Sequence, residues 1–360
     1  MQKRIYLMRP VVGSEEIQLI KRAIKSKFLT EGKITHEFEK SVSQYVGTKY
    51  AIATTSATTA LHSIFESINV KGKNVLVSDF TFPATILAII QAGGKPILID
   101  VDRHSMNTTR EIVEESLTRS TKTIVPVSLF GNPLDIDFYK LKKQGMKIIE
   151  DGATNLGTKV NNKFVGSLAN ATCFSFHPRK IITTGEGGMI TTNDKTLQER
   201  LRSFKAFGKK GTKFVDYGTN YKLSDIQSAI GLSQMKKIEK IIKKRIEKAK
   251  IYNELLSKND FIEPQSQTRK SRHTYQSYVC IVLKKRLRDK IIKELAQRNI
   301  ESQIGTYALH CLPAFKKIPK NGILENSEFL YRNSISLPLH EELTTEDQKI
   351  ICAIIKHIDD

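Results

Sequence analysis

The sequence predicts an α/β fold: a large domain built on a mostly parallel sheet between helices, followed by a smaller α+β domain. Three observations carry this. Short apolar runs near 75–78, 96–100 and 146–150 alternate with helical stretches through the first half of the chain, as parallel strands buried on both faces do. Beyond about residue 256 the alternation stops, and strands and helices of comparable length follow without parallel units. At 360 residues, with 39% hydrophobic and 26% charged residues, the chain has ordinary globular usage and is long for one core. Two domains, 1–245 and 246–360, are therefore expected.

The first helix is predicted over 14–27, with Ile17, Leu19, Ile20 and Ile24 on one face and a stop near Gly32. A second runs from about Thr35 to Gly47. Phe38 stands where a capping box needs Glu or Gln, so Thr35 is expected to cap it alone. Tyr50 to Ala53 reads as a strand leading into the hydroxyl-rich turn Thr54 to Thr59 and a helix over 60–69. A helix start lined with Ser and Thr gathers N–H groups, hydroxyls and the positive end of the helix dipole at one anion site, although plain capping uses the same residues. Strands follow at 75–78, 96–100, 123–128 and 146–150, with helices over 81–94 and near 136–143. Ligands of such sheets sit beyond the carboxyl ends of the strands. Asp151 and the turn 54–59 both stand there.

After a strand at 189–192 and a helix at 194–204 come a Gly- and Lys-rich loop (208–219) and a long helix over 224–256. Apolar residues at 235, 238, 242, 246 and 249 give that helix one buried stripe, leaving its lysines on a solvated face. The smaller domain is read as a strand at 275–283, a helix at 285–298, a strand edge at 334–337 and a C-terminal helix at 344–357.

The net charge of +21 admits nucleic acid, an anionic membrane or acidic ligands as partners. The lysines are spread along the chain and mixed with Glu and Ile, so neither nucleic acid nor membrane is expected. Cys173, Cys280, Cys311 and Cys352 lie far apart without a C-x-x-C pair, which predicts no zinc site, no other metal and no disulfide framework. A reducing cytoplasm fits. The N-terminus lacks the apolar core of a signal peptide, and no uncharged run is long enough to span a bilayer.

The stretch 171–190, A-T-C-F-S-F-H-P-R-K-I-I-T-T-G-E-G-G-M-I, organises the rest. Lys180 has only Arg179 and Glu186 as charged neighbours within it. A lysine buried beside another cation loses its proton readily and becomes a nucleophile toward a carbonyl. A surface lysine before a Gly-rich turn would look similar, so other segments must decide. An acid beyond a strand (Asp151), a lysine (Lys180) and an anion-binding helix start (Thr58, Thr59) together match the needs of pyridoxal 5′-phosphate: an amine for its aldehyde, a carboxylate for its ring nitrogen and donors for its phosphate.

These residues lie in segments that resemble the DegT/DnrJ/EryC1/StrS family of sugar-nucleotide aminotransferases. The segments are F-L-T-E-G-K-I-T-H-E-F-E (28–39), T-F-P-A-T (81–85), V-P-V-S-L-F-G-N-P (125–133), I-E-D-G-A (149–153), F-S-F-H-P-R-K-I-I-T-T-G-E-G-G (174–188) and N-Y-K-L-S-D-I-Q (220–227). The resemblance implies a fold-type I enzyme with a seven-stranded sheet. It implies Lys180 as the Schiff-base lysine, Asp151 as the partner of the pyridine nitrogen, and Ser175, Thr58 and Thr59 as phosphate ligands. Phe82 would stack on the ring, unless it is ordinary core, and Thr154 would stand near the ring's 3-oxygen. Asn220 would reach the phosphate of a neighbouring subunit, making a homodimer with shared sites. Tyr307 and His310 resemble the substrate-side segment, whereas His177 reads more simply as a packing residue.

Three departures bear on substrate and turnover: Thr154 where Gln or His is common, Ala57 where the family has Gly, and Ser128 where it has His. The dehydratase branch replaces the lysine by His, so Lys180 favours transamination. The expected reaction moves an amino group, from glutamate, to a keto carbon of a nucleotide-linked sugar, as in polysaccharide biosynthesis. The rivals are another pyridoxal phosphate reaction on the same fold, such as sugar dehydration or small amino-acid transamination, and a basic binding protein that has lost catalysis.

Overall fold

Seven strands form the central sheet of the computed structural model, which describes residues 4–284 and 286–358. Lys285, where a helix was predicted to begin, lies outside the described residues, as do the first three and the last two. The spatial order is Tyr50–Thr54, Gly188–Thr192, Ala171–Ser175, Lys147–Asp151, Thr123–Val125, Asn74–Ser78 and Lys95–Ile99. The last five are mutually parallel, with Val75 opposite both Pro96 and Thr123, Ile124 opposite Ile148 and Ile149 opposite Ala171. Gly188–Thr192 runs antiparallel to both its neighbours. Val75, Leu76 and Val77 are all buried because helices cover both faces, which is why the strand reads as an unbroken apolar run. The parallel strands all end at one edge of the sheet, and Ser78, Asp151 and Ser175 stand on it.

A second sheet, Ile262–Pro264, Tyr278–Val282, Ser334–Leu337 and Gln303–Ile304 in that order, is antiparallel throughout. Ser334–Leu337, expected at an edge, is interior and pairs on both sides. Tyr278, Cys280, Ile335, Leu337, Ile351 and Ile355 make its core. The long helix Asp225–Leu256 links the two cores: Met235, Ile238 and Ile242 pack against the first sheet's layer, and Ala249, Tyr252 and Leu256 enter the second.

Several local expectations change. The second helix is Lys33–Val46, so Thr35 lies inside it and Gly32 is its N-cap. The cap comes from elsewhere: the Asp225 carboxylate accepts from the N–H groups of Gly32 (2.8 Å), Ile34 (3.3 Å) and Thr35 (3.0 Å) and from the Thr35 hydroxyl (2.6 Å). The helix predicted over 81–94 is only Ala84–Gln91, because Phe80–Thr81 pairs as a strand with Tyr307–Ala308. The loop 208–219 holds a small hairpin, Lys209–Lys210 against Lys213–Phe214. The helix Arg110–Ser116 was not foreseen. Arg245, at the end of the lysine-rich run in the long helix, is buried and donates to the carbonyls of Tyr275 (2.9 Å) and Gln276 (2.6 Å).

Candidate active site

Beyond the carboxyl ends of the parallel strands lies an open cavity of about 670 Å³, walled on one side by the first domain's strands and on the other by residues 303–307 and 336–339. Lys180 is the only lysine among its lining residues. It is partly buried, and its backbone N–H donates to the His177 carbonyl (2.8 Å), which folds the loop after Ser175 back over the strand end. Burial lowers the pKa of its ammonium, with Arg179 adding to the fall and the carboxylate of Asp151 opposing it. The amine is thus closer to its nucleophilic form than a surface lysine.

Asp151 ends the strand Lys147–Asp151 and is almost wholly buried at the cavity floor. The Thr85 hydroxyl donates to its Oδ2 (2.7 Å), and the Ala153 N–H (3.1 Å) and the Cys173 thiol (3.6 Å) donate to Oδ1. These donors fix the direction of the carboxylate. Thr85 is a site residue that sequence reasoning passed over, although it closes the T-F-P-A-T segment.

The helix Ala57–Ser67 points its start at the same cavity, which Ser56, Ala57 and Thr58 line. Ser56 caps the helix, its hydroxyl accepting from the Thr59 N–H (3.1 Å). The N–H groups of Ala57 and Thr58 precede the first i→i−4 bond and face an anion site. Thr59 is placed differently from Thr58: its hydroxyl donates to the Ser56 carbonyl (2.9 Å) and accepts from the Ser56 N–H (2.9 Å), so it serves the turn. Ala57 adopts no left-handed φ, so the family's glycine is not needed for backbone freedom there. Close approach matters instead at Gly188, where a Cβ would lie 2.2 Å from the Ser56 carbonyl oxygen. That contact sets the helix start against the strand.

Ser175, Phe82, Thr154 and Tyr307 all line the cavity. Phe82 is 63% exposed, so it is not core, and its ring centroid lies 6.3 Å from that of Tyr307. Thr154 donates to the Ser128 carbonyl (2.8 Å). The Ser128 hydroxyl donates to buried Glu150, whose other oxygen accepts from Tyr139 (2.9 Å), so this serine supports the sheet core behind Asp151. His177 accepts at Nδ1 from the Arg179 N–H (3.2 Å), and burial lowers its pKa. Arg179 is clasped by Gln303 (3.0 Å), a contact across the two domains that sequence alone did not signal.

Three candidates fall outside the cavity lining: Thr59, whose hydroxyl is taken up by the turn, His310 and Asn220. His310 lies behind the wall, bonded to Asp79 through Nδ1 (2.6 Å) and its backbone N–H (2.8 Å). Asn220 is exposed on the loop after the hairpin, its Oδ1 accepting from Lys222 Nζ (2.6 Å). An amine, a well-bonded carboxylate, a helix start with free N–H groups and an aromatic face converge on one cavity. That donor set fits pyridoxal 5′-phosphate.

A family model described as the DegT/DnrJ/EryC1/StrS aminotransferase family matches residues 10–356. The chain is 31% identical to UDP-4-amino-4,6-dideoxy-N-acetyl-beta-L-altrosamine transaminase of Campylobacter jejuni, over 94% of this chain and 93% of that one. Among solved structures, Helicobacter pylori PseC, an aminotransferase of pseudoaminic acid biosynthesis, superposes with a TM-score of 0.93 at 28% identity, covering 99% of both chains. The PMP form of a sugar aminotransferase, Spr1654 of Streptococcus pneumoniae, superposes with a TM-score of 0.92 at 25% identity, over 99% of this chain and 98% of that one.

Proposed function

Because the chain belongs to the DegT/DnrJ/EryC1/StrS aminotransferase family, we propose that it moves an amino group from glutamate to a keto carbon of a nucleotide-linked sugar destined for a surface polysaccharide. It is a pyridoxal 5′-phosphate enzyme of fold type I, and the relatives named above are described as an amino-sugar transaminase, an aminotransferase of pseudoaminic acid biosynthesis and a sugar aminotransferase. The carrying observation is the meeting of Lys180 with Asp151 in one cavity large enough for cofactor and sugar.

Bound pyridoxal phosphate supplies an electron-poor ring that takes up the electron pair released at the donor's α-carbon. Lys180 Nζ would hold the cofactor at its aldehyde carbon, and the same amine would serve as general base and acid for the proton that the donor's α-carbon gives up. Its lowered pKa suits a group that must both take and give that proton near neutrality. The Asp151 carboxylate keeps a proton on the ring nitrogen, and Thr85 and the Ala153 N–H fix its direction. The start of the helix Ala57–Ser67, with Thr58 and Ser175, would hold the phosphate, and Thr59 would brace the turn that presents it. Phe82 would cover the ring, Thr154 would stand near its 3-oxygen, and Tyr307 would contribute to the sugar side.

Asn220 is assigned to the phosphate of a partner's cofactor in a homodimer with shared sites. Support comes from its place outside its own cavity lining, on a segment that also exposes Phe207, Phe214 and Tyr217. We place the domains at 1–245 and 246–360, the boundary falling within the long helix, and the enzyme in the cytoplasm. No helix among the described residues is long and apolar enough to cross a membrane.

The test is the half-reaction with glutamate alone. The cofactor's absorbance should convert to that of the amine form, and a panel of nucleotide-linked keto sugars should restore the original spectrum. No conversion with any amino donor, by a protein that holds the cofactor, would overturn the reading.

A further inference from the structure

Behind the cavity wall the chain brings together three side chains whose chemistry the transamination does not use. His310 and Cys311 follow the strand pair that joins Tyr307–Ala308 to Phe80–Thr81, and Glu328 lies on the helix Glu325–Asn333 of the second domain. One ligand atom from each lies within 4.8 Å of the others, and all three residues are partly buried. The Cys311 sulfur is 3.4 Å from His310 Nε2. Two ligands of one tetrahedral zinc, at about 2.3 Å for sulfur and about 2.0–2.1 Å for nitrogen, stand about 3.5 Å apart. The pair is already at that spacing.

Asp79 adds a second, independent observation. It is fully buried, and its carboxylate takes both the backbone N–H (2.8 Å) and Nδ1 (2.6 Å) of His310. A carboxylate on the far nitrogen holds the proton there, turns the Nε2 lone pair toward the cluster and makes it more basic, as it does for histidines that bind zinc. Glu328 also remains available. Arg332 meets it only at Oε1 (2.7 and 3.0 Å), an exposed i,i+4 pair of small energetic weight, and Oε2 is left for a cation.

We propose that His310, Cys311 and Glu328 form a divalent metal site selective for zinc, on the outer wall of the substrate cavity. One thiolate, one imidazole and one carboxylate suit borderline-soft zinc, and three protein ligands leave a fourth position for water or a small anion. This goes beyond the transamination and does not depend on it. It also departs from the expectation drawn from cysteine spacing, because only one ligand is a cysteine and the others are a neighbouring His and a Glu on the following helix. A contrasting group, Glu31, His36 and Glu39, has the protein's own cations in place: Lys205 meets Glu31 (2.9 Å) and Arg202 meets Glu39 (2.8 Å). Zinc at the proposed site would pin the helix Glu325–Asn333 to the His310–Cys311 segment, which Asp79 holds against the first domain. Tyr331 on that helix and Tyr307 on the cavity wall, with ring centroids 6.1 Å apart, would be held together.

The holoenzyme, freed of metal by dialysis against a chelator, is titrated with zinc against a chromophoric competitor and examined by X-ray absorption at the zinc edge. One zinc per chain is expected, with one sulfur among nitrogen and oxygen neighbours and a rise in thermal midpoint. Cys311→Ser should remove the sulfur neighbour and the thermal shift, and Asp79→Asn should weaken binding about 10–100-fold. If Cys311→Ser fails to fold, Glu328→Gln on the helix surface serves in its place, with loss of affinity expected. No stoichiometric zinc, a shell without sulfur, or affinity unchanged in these variants would overturn the site.

Discussion

Asp151 is placed by residues that the motif segments contain but whose roles they do not announce. Thr85 reaches it from another element, and Glu150 beside it points the other way, into the core, where Ser128 and Tyr139 donate to it. Burial pushes the Glu150 carboxyl up from 4.5 to about 7, against those two hydrogen bonds and with the charge of Asp151 adding to the rise. The folded state therefore holds one more proton than the unfolded chain between those values, and stability falls as pH rises from 4.5 to about 7, then levels. Glu150→Gln removes this titration and can keep both neighbours bonded. Relative to wild type, the variant should gain about 3 kcal/mol of unfolding free energy between pH 4.5 and pH 7.5. Urea unfolding at the two pH values reads it, and parallel profiles would refute a proton held in the fold. Lys180, Asp151, Ser175, Thr58, Phe82, Thr154 and Tyr307 were all visible in the sequence and all line one cavity. Thr85, Glu150, Tyr139 and Gln303 were not assigned, because each acts through a partner that only the tertiary fold brings near.

Elements read from local pattern appear where they were expected when burial on both faces or one clear stripe fixed their period. Six of the seven strands and the long helix are of this kind, whereas Ala171–Ser175 was read only as part of the lysine-bearing stretch. The helix Arg110–Ser116 is too short for a period to emerge, and Phe80–Thr81 is a strand only through its pairing with Tyr307–Ala308. The start of the helix Lys33–Val46 went unread for the same reason. Its orphan N–H groups are satisfied by Asp225, nearly two hundred positions away in sequence, instead of by a local Ser or Thr. Asp225→Ala would strand those donors in a buried setting. It should cost about 2–3 kcal/mol in chemical denaturation and speed hydrogen exchange of the Thr35 amide. A loss under about 0.5 kcal/mol would show that solvent or Ser228 replaces the cap. Because the N-Y-K-L-S-D-I-Q segment also carries Asn220, this cap anchors the loop from which that asparagine projects.

Taken whole, the molecule presents one complete catalytic cavity per chain except for the phosphate contact assigned to Asn220, which stands exposed outside the cavity lining. The hairpin beside it exposes Phe214 at 70% and carries Lys209, Lys210 and Lys213, so an apolar and basic arm projects from each chain. A two-fold axis would let two such arms complete two sites through one repeated interface. The net charge of +21 adds a general attraction for diphosphate-bearing sugars. The arrangement is tested by mixing Lys180→Ala with Asn220→Asp, each inactive as a homodimer. If the site is shared, a mixed dimer has one site with both lesions and one with neither, and random exchange in equal amounts restores roughly one quarter of wild-type activity. If each chain completes its own site, every site in the mixed dimer keeps one lesion. Absence of recovery in a preparation whose mixed dimers are demonstrated by native mass spectrometry would return Asn220 to its own chain, and the exposed arm would then need a different partner.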